Sequence, residues 1–451
     1  MLILSRLVPG LRAKNLLLMV CSLIFYAFGG LQYVPLLLVS AFGNYLAGRL
    51  VSRPGAHRKR IVTAAVIANL VLLGIFKYLD FFIENLNLLP GVSIPLTGIE
   101  LPVGISFYTF QGMSYLLDVY RSPETCSRSF PKVLLYIAFF PQLVAGPIVR
   151  YEDVSQQIDD RTCTPALTAQ GCVRFIQGLT KKLLLADTLG AAADTVFSLT
   201  AAQLDIRLGW LGAVCFTLQI YFDFSGYSDM AIGLGKMFGF HFRENFDHPY
   251  AAGSVQDFWR RWHISLSSWF REYLYIPLGG NRRGRLRTWR NRLIVFFCTG
   301  LWHGASWTYV LWGLWHGAMQ LAEDAIVPKT ARGRPWGHIY TMLVVILGFV
   351  LFRADTLQQA LLMFRTMFAG FAFTTESTAA FRNLFSPKLI CILLLAIVCA
   401  LPVKQLAAAK CGSRGQKSAE NAALPVSLLL LVLDILLLAS SAFTPFIYFQ
   451  F

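Results

Sequence analysis

Residues 282–307 read Arg282-Arg283-Gly284-Arg285-Leu286-Arg287-Thr288-Trp289-Arg290-Asn291-Arg292-Leu293-Ile294-Val295-Phe296-Phe297-Cys298-Thr299-Gly300-Leu301-Trp302-His303-Gly304-Ala305-Ser306-Trp307. Arginines with no acid among them give way to an apolar run that carries one imidazole. Positive charge of that density marks a cytoplasmic loop of a membrane protein, and the apolar run marks a membrane helix. A helix rising from Asn291 at ~1.5 Å per residue carries His303 roughly 18 Å inward, near the bilayer midplane. An ionisable side chain at that depth is costly, so a functional site is expected around it.

The rest of the chain agrees with a membrane fold. Of the 451 residues, 56% are hydrophobic and 14% charged, and the mean hydropathy is +0.55. Soluble domains carry about 25% charged residues. Apolar runs recur at residues 15–28, 34–47, 61–76, 134–148, 208–222, 293–315, 339–352, 389–401 and 424–443, and others are broken by Gly, Pro or a charge. At ~20 residues per crossing, this predicts an all-α integral membrane protein with about 11 transmembrane helices, plus re-entrant and interfacial helices, surrounding a central tunnel. The first run lacks a small-residue cleavage site and a soluble domain after it, so no separable signal peptide is expected. No long polar linker or internal repeat appears, which predicts a single transmembrane domain over residues 1–451.

The formal net charge is +16. In a soluble protein this would suggest nucleic acid. Here the Lys and Arg concentrate at Arg49–Arg60, Arg282–Arg292 and Lys404–Lys417, short segments expected to share the cytoplasmic face. No aromatic-interleaved basic platform appears, so no nucleic-acid partner is expected. The nine cysteines form no Cys-x-x-Cys pair and read as small core hydrophobes. No His-x-x-x-His supplies paired metal ligands, and no Gly-x-Ser-x-Gly supplies a nucleophile elbow. What remains is a buried histidine suited to general acid/base work.

The segment from about Leu101 to Gly317 holds most of the Gly, Trp, Arg and His that interrupt apolar runs. Irregular backbone at membrane depth survives only where protein or a water-filled cavity surrounds it, so a tunnel is expected there. Pro102-Val103-Gly104 predicts a bent or re-entrant element, and Pro141 with Pro147 predicts a kink or a helix end. In Phe222-Asp223-Phe224-Ser225-Gly226-Tyr227-Ser228-Asp229, Ser225 and Asp229 share one helix face. Asp223 and Asp229 either cap broken helices or line a polar tunnel. Gly235 and Gly239 are spaced for close helix packing, and with Gly233 they do not form a dinucleotide fingerprint. Asp257 to Tyr273 interleaves Trp259, Trp262 and Trp269 with arginines, which suits an interfacial helix. His263 sits on its aromatic side. His316 follows His303 by thirteen residues, ~20 Å along an ideal helix and on a different face unless the helix breaks at Gly304 or Gly313, and reads as a packing or interfacial histidine.

Four blocks in order resemble the membrane-bound O-acyltransferases, in particular the bacterial branch that includes the alginate O-acetyltransferase membrane subunit and its peptidoglycan- and cellulose-acetylating relatives. They are the Phe222–Asp229 block, Phe258-Trp259-Arg260-Arg261-Trp262-His263-Ile264-Ser265-Leu266, Tyr275-Ile276-Pro277-Leu278-Gly279-Gly280-Asn281-Arg282 and Leu301-Trp302-His303-Gly304. The resemblance runs from about Pro102 to His316. It implies that His303 is catalytic and His263 is a second active-site residue. Asp223, Ser225, Asp229, Trp262, Trp302 and Arg271 are the expected substrate-binding residues. No metal or permanently bound cofactor is implied. The implied donor substrate is acyl-CoA, in particular acetyl-CoA, loaded from the cytoplasm. The acyl group would leave toward an extracytoplasmic transferase partner or a polysaccharide or peptidoglycan hydroxyl, across the membrane lipid in which the protein sits. Relatives of the D-alanyl-lipoteichoic acid transferase type share both histidines but resemble this chain less around Leu278-Gly279-Gly280-Asn281-Arg282. Met1 stands close to the first clear span, so the hydrophobic lead-in usual in the family is shortened.

A transporter or flippase of a polar lipid-linked substrate would also need ionisable residues at depth. Such proteins show paired repeats with broken helices in corresponding places, and none is found here. The arginine cluster makes a topological prediction. Single cysteines introduced between Arg282 and Arg292 should resist a membrane-impermeant thiol reagent in intact cells, and labelling from outside would invert the orientation.

Overall fold

The computed structural model describes every residue except Ala56, 328–334, 441–444 and 448–451, and no side chain of residues 404–421. The basic cluster at Lys404–Lys417 therefore lies outside the described side chains. The described chain is helical, with no strand among the described residues. It packs as two compact units. One comprises Met1–Phe175 and Met230–Glu244, and the other Ile176–Asp229 and Asn245–Phe451.

The first unit opens with the short helix α1 (Leu2–Leu7), followed by α2 (Leu11–Phe28), α3 (Val34–Val51), α4 (Arg58–Leu86) and α5 (Ile105–Arg121). Helices α2 to α4 turn large apolar side chains outward, among them Leu16, Ile24, Val39 and Ile67. This is the pattern of helices facing lipid rather than water. Inside the unit, Asn44 of α3 and Asn69 of α4 exchange side-chain amide hydrogen bonds of 3.1 and 2.9 Å. Such interhelical bonds join helices where lipid offers no hydrophobic drive. The Pro102-Val103-Gly104 break leads directly into α5, whose start has Gly104 at φ 75°. Helix α5 is buried nearly all round, from Ile105 to Val119. The Phe139–Pro147 stretch is broken as its prolines predict: one helix ends at Ala138 and a single turn, Phe140–Leu143, follows.

The second unit is built on most of α6 (Ile206–Met237), then α7 (Val255–Arg261), α8 (Ile264–Phe270), α9 (Arg285–His303), α10 (Trp307–Ile326) and α11 (Pro335–Arg353). Helix α6 is continuous through Asp223 and Asp229, which excludes the capping role considered for them. Its close packing also departs from expectation. A Cβ on Gly226 would meet the Gly178 carbonyl oxygen at 2.8 Å, and one on Gly233 the Gly171 carbonyl oxygen at 2.6 Å. Gly239 lies beyond the helix at φ 81°.

Three further expectations are corrected. The arginine cluster is not a free loop, because helix begins at Arg285. Arg285 lies over the Trp289 ring at 4.7 Å, and Arg292 pairs with Asp324 of α10. The apolar run 293–315 is not one helix. It ends at His303, reverses through Gly304-Ala305-Ser306, and returns as α10. Ser306 caps α10 by accepting from the Thr308 amide at 3.3 Å. The two arms pack tightly, since a Cβ on Gly313 would overlap the Phe296 carbonyl. Finally, the Trp-Arg segment is two short helices broken at Trp262–His263. Trp259, Trp262 and Trp269 are buried in protein rather than laid on an interface.

Among the described residues, five helical segments are long and apolar enough to cross a membrane: 11–28, 31–51, 58–86, 335–353 and 422–440. A sixth is counted if Thr375–Leu384 and Pro387–Ala400, bent by 64°, form one span. This count falls short of the expected total of about 11, and apolar runs such as 134–148 and 293–315 are cut into shorter helices.

Candidate active site

The two histidines come together within the second unit. His303 is the last residue of α9, held at the turn of the α9–α10 hairpin. His263 is the residue between α7 and α8. Forty residues apart in sequence, their rings lie 6.5 Å apart between centroids. The α7–α8 corner requires an unusual backbone. His263 adopts φ 44° and ψ 55°, the left-handed region that costs a residue with a Cβ about 1 kcal/mol or more. Strain of this kind persists only where the surroundings impose it, and it concentrates at functional positions.

Those surroundings are specific. The Ser265 backbone amide donates to Asn245 Oδ1 at 3.1 Å, and the Ser265 hydroxyl donates to the same oxygen at 2.8 Å. Asn245 Nδ2 donates to Ser228 Oγ of α6 at 3.1 Å. A backbone N–H can only donate, so these bonds fix which end of the Asn245 amide is oxygen. His263 Nδ1 lies 3.2 Å from that oxygen. The Ser265 hydroxyl, 3.4 Å from the same nitrogen, already spends its proton on Asn245 Oδ1, so Nδ1 carries the proton, and in the neutral ring Nε2 presents its lone pair. His263 is fully buried, and Nε2 meets no hydrogen-bond partner among the described residues. An acceptor so placed is costly unless a ligand or water completes it.

Aromatic rings enclose the pair. Phe224 of α6 meets His263 edge-on at 4.6 Å, and Trp302 lies 5.9 Å from it. Trp302, Trp312 and Phe352 surround His303 at 5.0, 5.0 and 5.2 Å. The hairpin overturns the expected ~20 Å separation of His316. Trp312 contacts both His303 and, at 5.3 Å, His316. His316 is also fully buried, beside Trp259 at 5.2 Å. Trp262 packs away from the histidine rings, stacked with Tyr250 and Phe258.

The acidic residues of α6 go elsewhere. Lys181 donates to Ser225 Oγ at 3.4 Å and to Asp229 Oδ2 at 2.7 Å, which places Ser225 and Asp229 on one face as their spacing requires. Lys182 donates to Asp223 Oδ1 at 2.7 Å, and Asp223 Oδ2 accepts from the Ile447 amide at 2.9 Å. Both lysines belong to a π-helical turn, Lys181–Ala186. Phe224 and Ser228 thus face the histidine site, while Asp223, Ser225 and Asp229 face the lysines.

Arg271 opens a second π-helical turn, Arg271–Tyr275. Irregular turns of this type recur at functional sites. It lines a cavity of about 390 Å³ together with Trp259, Arg260, Tyr275, Arg292 and Gln320. Trp259 forms part of that wall and also touches Trp312 at 5.7 Å, which in turn touches His303. Among the described residues, no three His, Cys, Asp or Glu side chains converge as a metal site. Asn245, Ser228, Trp312 and the lysine pair were missed in the sequence. Asn245 lies in the polar run His241–His248, and its apolar flanks Phe242 and Phe246 were the only signal that it is buried.

A family model described as the membrane-bound O-acyltransferase family, MBOAT, matches residues 124–364. The chain is 40% identical to the probable alginate O-acetylase AlgI of Azotobacter vinelandii, over 98% of this chain and 95% of the relative. It is 37% identical to a peptidoglycan O-acetyltransferase of Helicobacter pylori, over 79% of this chain and 75% of the relative. It is 27% identical to a teichoic acid D-alanyltransferase of Bacillus subtilis, over 59% of this chain and 69% of the relative. The likeness extends past His316, where the sequence blocks ended, and covers nearly the whole chain. With a helical membrane fold and a match of this extent, the chain belongs to the membrane-bound O-acyltransferase family and is a multi-pass membrane O-acyltransferase.

Proposed function

We propose that the protein transfers acetyl groups from acetyl-CoA, bound from the cytoplasmic side, to an extracytoplasmic hydroxyl, with His303 as general base and His263 as its partner. The observation that carries this reading is the buried pair of imidazoles, one of them with a fixed tautomer and a bare acceptor nitrogen. In the transfer, the acceptor oxygen attacks the thioester carbonyl carbon, the C–O bond forms and the C–S bond breaks. His303 takes the hydroxyl proton and returns it to the departing thiolate, leaving an O-acetyl ester and free CoA thiol. Because the hydroxyl's one proton goes to His303, His263 Nε2, which can only accept, contacts the donor instead, receiving an amide N–H of the acyl-CoA arm and aligning the thioester. The aromatic walls exclude water, which would otherwise hydrolyse the thioester and weaken each polar contact.

The arginine-lined cavity suits the donor. Arg260, Arg271 and Arg292 would meet the CoA phosphates, and Trp259 and Tyr275 offer faces for the adenine. The names of the relatives point to a polysaccharide or peptidoglycan as the final acceptor, reached directly or through an extracytoplasmic transferase partner. Acetyl is favoured over D-alanyl because the acetylase relatives match over far more of the chain.

His303→Ala should lower polymer acetylation in cells at least ~10²-fold at equal membrane levels, the loss expected for a missing acid/base group. Wild-type acetylation in that variant would remove His303 from the mechanism. Asn245 is a positioning residue, and its test is a comparison of two substitutions. Asn245→Leu deprives Nδ1–H of its acceptor and should lower turnover by between about 10- and 10⁴-fold. Asn245→Asp keeps an acceptor oxygen there and should retain more activity. Equal losses in both would assign Asn245 to packing alone.

A further inference from the structure

The first unit contains a second basic cleft, remote in sequence from the histidine motifs. Arg6, Lys14 and Arg161 line a cavity of about 220 Å³, closed by Leu11, Leu18 and Phe238 and without a carboxylate in its walls. None of the three cations is neutralised by its hydrogen bonds. Arg6 donates to the Cys163 carbonyl at 2.6 Å and to the Thr168 hydroxyl. Arg161 donates to the Phe238 and Gln157 carbonyls at 2.9 and 3.2 Å, and its guanidinium lies over the Phe240 ring at 4.2 Å. The Lys14 side chain has no ionic or hydrogen-bonded partner among the described residues. Like charges gathered in one partly desolvated cleft repel one another, and an anion placed among them relieves that cost.

The position of the cleft says what sort of anion. Leu11, Lys14 and Leu18 are the first turns of α2, so the cleft lies at the end of a candidate membrane span. Beside it, Ile3, Leu4 and Leu7 of α1 are exposed, as are Leu16, Val20 and Ile24 further along α2. A short helix with outward apolar side chains and a basic residue is built to lie in the interface plane. A molecule seated here would place its phosphate against the cations and its remaining length against apolar surface.

We infer that this cleft binds the phosphodiester of an anionic phospholipid, with Lys14 and Arg6 as the principal contacts and Arg161 as the fixed charge at its back. The α2 N-terminus adds the positive end of its dipole in the same direction. Each basic residue near such a head group contributes about fivefold in affinity.

The test is native mass spectrometry of the full-length, detergent-purified protein, with phosphatidylglycerol, phosphatidylcholine or inorganic phosphate added at equal concentration. Wild type should retain phosphatidylglycerol in preference to the other two. Lys14→Gln should weaken it about fivefold, and Arg6→Gln with Lys14→Gln about 25-fold, while Lys59→Gln on α4 should leave it unchanged. Because the Lys14 side chain has no partner to lose among the described residues, Lys14→Gln keeps the test independent of folding. Equal retention of phosphatidylglycerol by wild type and Lys14→Gln would overturn the assignment. So would retention of phosphatidylcholine as strong as that of phosphatidylglycerol. Inorganic phosphate that binds as tightly as the lipid would make this a soluble-phosphate site instead, and would equally overturn it.

Discussion

The amide oxygen of Asn245 is the point on which the candidate active site depends. It receives the Ser265 backbone N–H, the Ser265 hydroxyl and His263 Nδ1 together, while its own nitrogen reaches across to Ser228 on α6. Those bonds tie the α7–α8 corner to the long helix and hold His263 in a backbone conformation it would not adopt unaided. They also decide the tautomer of the ring. A free imidazole exchanges its proton between two nitrogens, but here one nitrogen faces an acceptor and the other presents its lone pair inside an aromatic cage. Removing the choice before substrate arrives is preorganisation, the feature that makes a dipole effective in a low-dielectric site.

The second constraint is the reversal at Gly304. Because α9 stops at His303, the catalytic candidate sits at the tip of a hairpin rather than midway along a helix. The return arm then brings Trp312 against it and His316 one ring further away. The same hairpin places Arg292 beside the cavity that also contains Arg260 and Arg271. One chain reversal thus sets both the aromatic enclosure of the imidazole and one wall of the basic pocket.

The class of fold was legible in the sequence, and so was the choice of His263 and His303 as candidates, because both leave strong local signals. Apolar runs of membrane length are hard to mistake, and an imidazole within one has few cheap explanations. Gly304 was a candidate break, but Leu293–Trp315 is apolar on both sides of it, and periodicity cannot tell one long helix from two short ones. Asp223 and Asp229 resemble caps in the sequence because their lysine partners lie 41 and 48 residues away, in a segment whose own pattern is ordinary. Asn245 was hidden by its polar neighbours Arg243, Glu244 and Asp247, which are surface residues around a buried amide. Pairings of this kind belong to tertiary structure, and only chain topology reveals them.

The central claim concerns one proton, and nitrogen-15 NMR of histidine-labelled protein in lipid measures it directly. Subtracting the spectrum of a His263→Gln variant isolates the His263 ring. At neutral pH the account predicts a ring protonated at Nδ1 and bare at Nε2, with the Nδ1 proton in a hydrogen bond. A ring protonated at Nε2, or an imidazolium protonated at both nitrogens, would contradict it.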